Sequence, residues 1–279
     1  KNFLPHEEAS GGLLSRLGGK TVVAATVRAI QLLGRQFVLG RHIGEAMTEA
    51  QAARRSQPTL RFSYDMLGEG ARTERDAQRY LASYQNAIAA IAKGPRGDGP
   101  EHTASGGRGP EAADGISIKL SALFSRYEDA QRERVFAELV PRVWTLIDAA
   151  ARADMNLTID AEESDRLELS LDVFEQLAAR IAQEHPRWRG FGLAVQAYQT
   201  RALEVVNEVA RIARAHHLQF MVRLVKGAYW DGEIKRAQEL GLSGYPVYTR
   251  KPNTDVAYLA CARILLDGSR RVYPQFATH

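Results

Sequence analysis

A chain of 279 residues, 45% hydrophobic and 25% charged, has the balance of an ordinary globular protein and can bury a large core without covalent staples. Its one cysteine, Cys261, excludes a disulfide framework and a thiolate metal cluster; lying in the apolar helical pattern DVAYLACARILL, it reads as a buried thiol in a reducing compartment. No apolar run reaches the roughly 20 residues of a membrane-spanning helix, and no signal peptide opens the chain. The net charge of +4 is spread along the sequence, as at Arg16, Lys20, Arg28, Arg35 and Arg41, so this segment is not expected to bind nucleic acid.

Residues 1–19 are rich in Gly and Ser and are expected to be loosely held. Val23, Val27, Ile30 and Leu33 keep helical spacing, followed by Phe37, Ile43 and Met47, which predicts a helical arm over 1–56. TLRFSYDML, from Thr59, is the first strand. Thr73 with Asp76 three residues on caps a helix whose buried stripe is Ala77, Leu81, Ile88 and Ile91. The stretch from Gly94 to Gly115, dense in Gly, Pro and charge, is a long loop, because the same alternation resumes beyond it. GISIKLSAL is a strand, and the helix from about Tyr127 to Arg152 should kink or break at Pro141. NLTIDAE, GFGLAVQ and QFMVRLV are strands. The helices between and after them run from Ser164 to about Gln183, around Val205, Val209 and Ile212, from Asp231, and from Thr254. RRVYPQFAT is the sixth strand. The sequence starts at Lys1 and stops at His279 directly after that strand, so a piece of a longer polypeptide is expected.

Strands and helices in single file favour a parallel sheet covered by helices, either open and doubly wound or closed as an eight-stranded barrel. Successive strand residues face opposite ways. Ile116, Ile118 and Leu120 oppose Ser117 and Lys119; Leu157 and Ile159 oppose Thr158 and Asp160. Phe191, Leu193 and Val195 oppose Gly192, Ala194 and Gln196; Phe220, Val222 and Leu224 oppose Met221 and Arg223. In the first strand Arg61, Ser63 and Asp65 share a face. An open sheet buried on both sides should be apolar on both faces, whereas a barrel has helices outside and a polar mouth at its strand ends. The expected fold is therefore α/β, a TIM-type (β/α)8 barrel over 57–279 truncated after the sixth strand.

Asp65, Lys119, Asp160, Gln196, Arg223 and Lys226 then converge on one mouth. Burying so many charges as a purely structural network is costly. Lys and Arg outnumber the carboxylates at the strand ends, which points to an anionic substrate, cofactor phosphates, or both. KGAYW, from Lys226 to Trp230, sets a Gly-Ala backbone beside two aromatics, a wall for a flat or phosphorylated ligand. Neither GxGxxG nor GxxxxGK[ST] is present, and the seven histidines show no HxH or HExxH spacing, so metal catalysis is not expected. His279 stands apart from the other histidines because it follows the last strand at the same mouth.

RFSYDMLGEGA, GISIKLSAL, IDAEESDRLELSLD, VQAYQ, RLVKGAYWDGEIKRAQ, GYPVYTRK, YLACA and YPQFATH, in this order, resemble the proline dehydrogenase domain of bifunctional proline utilisation A proteins, from about Val27 to His279. The resemblance implies a distorted barrel holding FAD. It further implies oxidation of L-proline to Δ1-pyrroline-5-carboxylate, with electrons passed to a membrane quinone and a second domain of the aldehyde dehydrogenase type in the full protein. By the same resemblance Lys119 and Asp160 match active-site positions, Lys119 neutralising the substrate carboxylate. Tyr229 matches the aromatic against the substrate ring with Ala228 beside it, and Arg223 the arginine near the flavin N5. Gln196, Lys226, Gly227, Ala228, Trp230, Thr249, Thr278 and His279 match cofactor-contacting positions, and Glu69 a glutamate that pairs with a mobile arginine. The family's carboxylate-clamping arginines, on the last barrel helix, have no counterpart in these 279 residues. The location implied is cytoplasmic, peripheral to the inner face of a bacterial membrane. Two other readings stand beside this one: a Schiff-base aldolase using Lys119 or Lys226, and a non-catalytic barrel fragment.

Overall fold

A computed structural model describes residues 23–24, 26–28, 34, 38–68, 70–94, 109–267 and 271–278. Most of the expected arm and of the loop after Gly94 lie outside them. The chain forms two compact units, Lys1–Ala53 and Arg54–His279. In the first, helix α1 (Ile43–Ser56), whose last three residues belong to the second unit, is entered through Arg41, whose backbone N–H and Nε both donate to Glu45.

The second unit is built on one six-stranded sheet: β1 (Ser63–Tyr64), β2 (Gly115–Ile118), β3 (Asn156–Ile159), β4 (Phe191–Gln196), β5 (Phe220–Val225) and β6 (Val272–Phe276). The spatial order is the chain order, and every pair is parallel. Parallel crossovers are right-handed, so an order that never reverses puts all the helices on one face and leaves the other as a concave interior. A doubly wound sheet would reverse its order at a switch point. The architecture is thus an arc of a β/α-barrel, as the alternation and the polar strand faces imply.

Between the strands run α2 (Glu74–Ile91), the short α3 (Leu120–Leu123), α4 (Val140–Arg152), α5 (Leu167–Glu184), α6 (Ala202–Ala215), and then α7 (Trp230–Glu239) with α8 (Lys251–Leu265). Thr73 caps α2 through the reciprocal bonds read from the sequence: its Oγ accepts from the Asp76 N–H, and its own N–H donates to the Asp76 carboxylate. The convex side of the sheet buries Ile116, Ile118, Leu157, Ile159, Phe191, Val195, Phe220, Val222 and Leu224 under these helices. Its centre is an aromatic cluster in which Phe174 of α5 stacks on Phe191 at 4.6 Å and meets Phe220 edge-on at 4.9 Å. On the concave side Gly192 is required by crowding, since a Cβ there would lie 1.9 Å from the Met221 carbonyl oxygen.

Two strands differ from the sequence reading, and a third element shows the form that an expected break takes. β1 is only two residues long; just before it the Phe62 N–H donates to the Asp114 carboxylate (2.9 Å) while the Phe62 carbonyl accepts from Gly115 (2.8 Å). β2 ends at Ile118: Leu120–Leu123 turns into α3, where the Ser121 N–H donates to Glu162 (3.0 Å) and the Ser121 carbonyl accepts from Ala71 (2.9 Å). The break at Pro141 takes the form of a π-helical turn, Val135–Leu139, immediately before α4. Proline has no N–H and its ring crowds the preceding turn, so the widened turn absorbs the misfit and leaves Pro141 in the first turn of α4.

Candidate active site

The parallel ladder carries chemistry to one rim because every strand ends on the same side. Asp65 follows β1, Lys119 follows β2, Asp160 follows β3, and Arg223 lies within β5 paired to Ala194 and Gln275. The Lys119 ammonium donates to Asp65 and to Asp160, each at 3.4 Å, and Arg223 donates to the other Asp160 oxygen at 3.3 Å. Arg223 also donates to Ser117 Oγ (2.8 Å) and Ser63 Oγ (2.7 Å), and those two hydroxyls are 3.2 Å apart. Side-chain exposures of 19% for Lys119, 14% for Asp160 and 21% for Arg223 describe groups largely withdrawn from water yet open at one end. Burial holds the Asp160 carboxyl above the ordinary carboxylate range; the negative charge of Asp65 adds to this, while Lys119 and Arg223 oppose it. The cluster has two cations and two carboxylates, so protonating Asp160 would leave it net positive toward an incoming anion.

The KGAYW turn forms the next part of the rim. Gly227 has φ +142°, and a Cβ on it would fall 2.4 Å from the Tyr198 ring. The glycine is therefore demanded by an aromatic already packed beneath it, and not by space left open for a flat ligand. Tyr198, which the sequence marks only within the VQAYQ block, organises the region. It donates its N–H to the Lys226 carbonyl (2.8 Å), accepts the Tyr248 N–H at its carbonyl (2.8 Å), and accepts the Tyr229 N–H at its hydroxyl (3.3 Å). Gln196 is buried and bonded at both ends of its carboxamide, its Nε2 donating to the Glu162 carbonyl (2.9 Å) and its Oε1 accepting the Ala228 N–H (3.2 Å). Its observed role is to brace two loops. Tyr229 is half-buried, and burial together with the nearby Glu162 raises its phenol above the usual range, keeping it neutral.

Lys226 pairs with Asp255 at 2.7 Å, and Lys251 holds the other oxygen of the same carboxylate at 2.8 Å. The Trp230 indole donates to the Tyr248 carbonyl (2.9 Å) while 42% of the residue remains exposed, and Ala228, Thr249 and Thr278 are exposed. Glu69 and His279 lie outside the described residues. Among the described residues one group, Asp148, Glu184 and His185, brings ligand-type atoms together, but Arg152 and Arg180 already hold its carboxylates at 2.9 and 2.7 Å.

A family model for proline dehydrogenase matches residues 47–279. The chain belongs to the proline dehydrogenase family. It is 50% identical to the bifunctional protein PutA of Escherichia coli K12 over 98% of its own length, and 45% identical to that of Rhizobium meliloti over 96%; in each case it spans 20% of the relative. Among solved structures, a proline utilisation A with proline bound in remote sites superposes with a TM-score of 0.78 at 50% identity, covering 96% of this chain and 26% of that one. The enzyme from Bdellovibrio bacteriovorus inactivated by N-propargylglycine superposes with a TM-score of 0.83 at 29% identity, covering 93% and 27%. The chain thus spans about a fifth of the curated bifunctional relatives, which carry further sequence beyond this region.

Proteins of this family are flavoproteins, and the donor set of the rim fits such a group. Arg223, Lys226 and Lys251 supply positive charge, the exposed residues Thr249 and Thr278 supply hydroxyls, and the part-exposed Trp230 supplies a flat apolar ring. Gln196 fits less well, because both ends of its carboxamide are already bonded within the fold.

Proposed function

We propose that this chain carries the greater part of an FAD-dependent proline-oxidising site, converting L-proline to Δ1-pyrroline-5-carboxylate and passing electrons to a membrane quinone, the first step of proline catabolism. The location that goes with it is cytoplasmic, at the membrane surface, with a second dehydrogenase domain of the aldehyde type in the full protein. The supporting observation is the meeting of Lys119, Asp160 and Arg223, from three separate strands, within hydrogen-bonding distance at one rim.

Within that site the chain's own groups bind and orient. Lys119 donates to two carboxylates, so a substrate carboxylate can take the place of one of them provided that the displaced carboxylate gains a proton. Asp160, whose carboxyl is held by burial above the ordinary carboxylate range, is the one that can take up a proton as that anion arrives. Tyr229, neutral and half-buried, offers a ring face to the apolar part of the substrate. Holding the carbon next to nitrogen against the acceptor in one geometry is where the protein lowers the barrier. The bound flavin supplies the hydride acceptor.

The Schiff-base alternative calls for an activated lysine in an apolar pocket; Lys119 instead donates to two carboxylates and Lys226 to a third. The deciding measurement is proline-dependent bleaching of bound flavin. Lys119→Ala and Arg223→Ala should each slow it by about 100-fold or more while leaving the fold intact, as loss of one preorganised charged donor does elsewhere. N-propargylglycine, the inactivator of the Bdellovibrio relative, should inactivate the flavin-loaded chain. Wild-type bleaching in both variants would overturn the assignment, and so would lysine trapped by borohydride with a carbonyl substrate.

A further inference from the structure

We infer that Ser63 and Ser117 form a neutral two-oxygen cradle that fixes the plane of the Arg223 guanidinium without cancelling its charge, and that they are positioning residues for the proposed flavin reduction. The inference rests on the functional reading above and adds two residues to it.

An arginine used as a fixed positive pole is usually held by a carboxylate, which presents two oxygens along one edge of the guanidinium fork. That arrangement orients the group but also neutralises it. Here the two nitrogens Nη1 and Nη2 donate to separate serine hydroxyls, at 2.8 and 2.7 Å. The hydroxyls come from adjacent strands, β1 and β2, and their 3.2 Å separation closes the cradle on itself. The one carboxylate in contact, Asp160, meets Nη1 at the longer distance of 3.3 Å and is shared with Lys119. The shorter contacts are therefore the neutral ones.

Placement supports the same conclusion. Ser117 is completely buried on the concave face, where a hydroxyl without a partner would be costly and where alanine or valine would pack more simply. Arg223 lies in the middle of β5, its guanidinium reaching back across the interior to strands separated from it by 106 and 160 residues of sequence. A long side chain crossing an open concavity has several rotamers, each costing entropy to select. Two short hydroxyl contacts select one, and the Nε–H takes part in neither.

The test uses the flavin-loaded chain with Ser63→Ala, Ser117→Ala, the double alanine variant, Ser117→Thr and Ser63→Asp. Loosening the guanidinium should lower the rate of proline-dependent bleaching about tenfold in each single alanine variant, and further in the double, with little change in KM for proline. Ser117→Thr, which keeps the hydroxyl, should restore most of the rate. Ser63→Asp holds the arginine but neutralises it, so the bound flavin should become harder to reduce, shifting its midpoint potential downward. The readout independent of turnover is the nitrogen NMR spectrum of Arg223. Distinct, slowly exchanging guanidinium nitrogens are expected in the wild-type chain, collapsing to a freely rotating group in the double alanine variant. If proline bleaches wild type and the double variant alike, and the Arg223 spectrum is unchanged, the cradle is refuted and the functional reading survives. If proline fails to bleach even wild type, the functional reading falls, and the NMR comparison still decides whether the serines hold the arginine.

Discussion

The two faces of this sheet are made by the same strands, residue by alternate residue, yet they solve opposite problems. The convex face carries Phe191 and Phe220, which Phe174 of α5 covers with ring separations of 4.6 and 4.9 Å. Its side chains are redundant in chemistry and specific only in shape. The concave face carries Ser63, Ser117, Lys119, Asp160 and Arg223, bonded to one another from separate strands. Its side chains are specific in chemistry and bring with them charges that the fold has to desolvate. The difference separates stability from function along a single backbone: the outside supplies the free energy, and the inside consumes part of it to hold charges in place.

Substitutions on the two faces should therefore behave differently. The largest effect on stability is expected for Phe191→Ala, which removes the ring at the centre of the outer cluster. Loss of a buried phenylalanine of this kind costs about 3–5 kcal/mol, measurable as a lower urea midpoint. A cost below about 1 kcal/mol would mean that the helices do not depend on this cluster. Next in size is Gly227→Ala, at the junction of strand and rim. Its φ of +142° and the Tyr198 ring 2.4 Å from any Cβ predict a loss of about 1–3 kcal/mol. Because the strain falls on Ala228 to Trp230, flavin retention should drop along with stability. Unchanged flavin content in a destabilised Gly227→Ala protein would show that the turn serves the fold alone.

The convex face was legible in the sequence because apolar residues at every second position, repeated over the strands from Ile116 to Leu224, leave one interpretation of which side is buried. The concave face was legible at its charges: Lys119, Asp160 and Arg223 stand out because charge within or directly after an apolar strand needs a reason. What the sequence did not show was the wiring. Ser63 and Ser117 lie on the expected face, but serine is common in strands and nothing local says that two of them, 54 residues apart, meet the same guanidinium. Tyr198 was hidden for a related reason, since its value lies in the backbone groups of Lys226, Tyr229 and Tyr248 that it ties together. The apparent length of β2 misled because alternation continues through Leu123, whereas the chain turns helical at Leu120 with the Ser121 N–H held by Glu162, and β1 starts only after the Phe62 N–H has been taken by Asp114.

The smallest expected effect is also the one of opposite sign, and it bears most directly on the contrast between the faces. Burial and the nearby Asp65 raise the Asp160 carboxyl above its ordinary range. In the window between the ordinary carboxylate pKa, about 3.9, and the higher folded value, the folded chain holds more proton at this site than the unfolded chain. Stability contributed by Asp160 must then fall as pH rises through that window, because it is present in full only while the group is protonated in both states. Asp160→Asn removes the titration. Losing the contacts to Lys119 and Arg223 lowers the variant by an amount that does not depend on this group's proton, so the informative quantity is the slope. Urea unfolding of wild type and Asp160→Asn from pH 4 to pH 7 should show the difference moving in the variant's favour as pH rises. Movement in favour of wild type would mean that the two cations more than compensate the burial of this carboxylate, and that the concave face adds to stability instead of drawing on it.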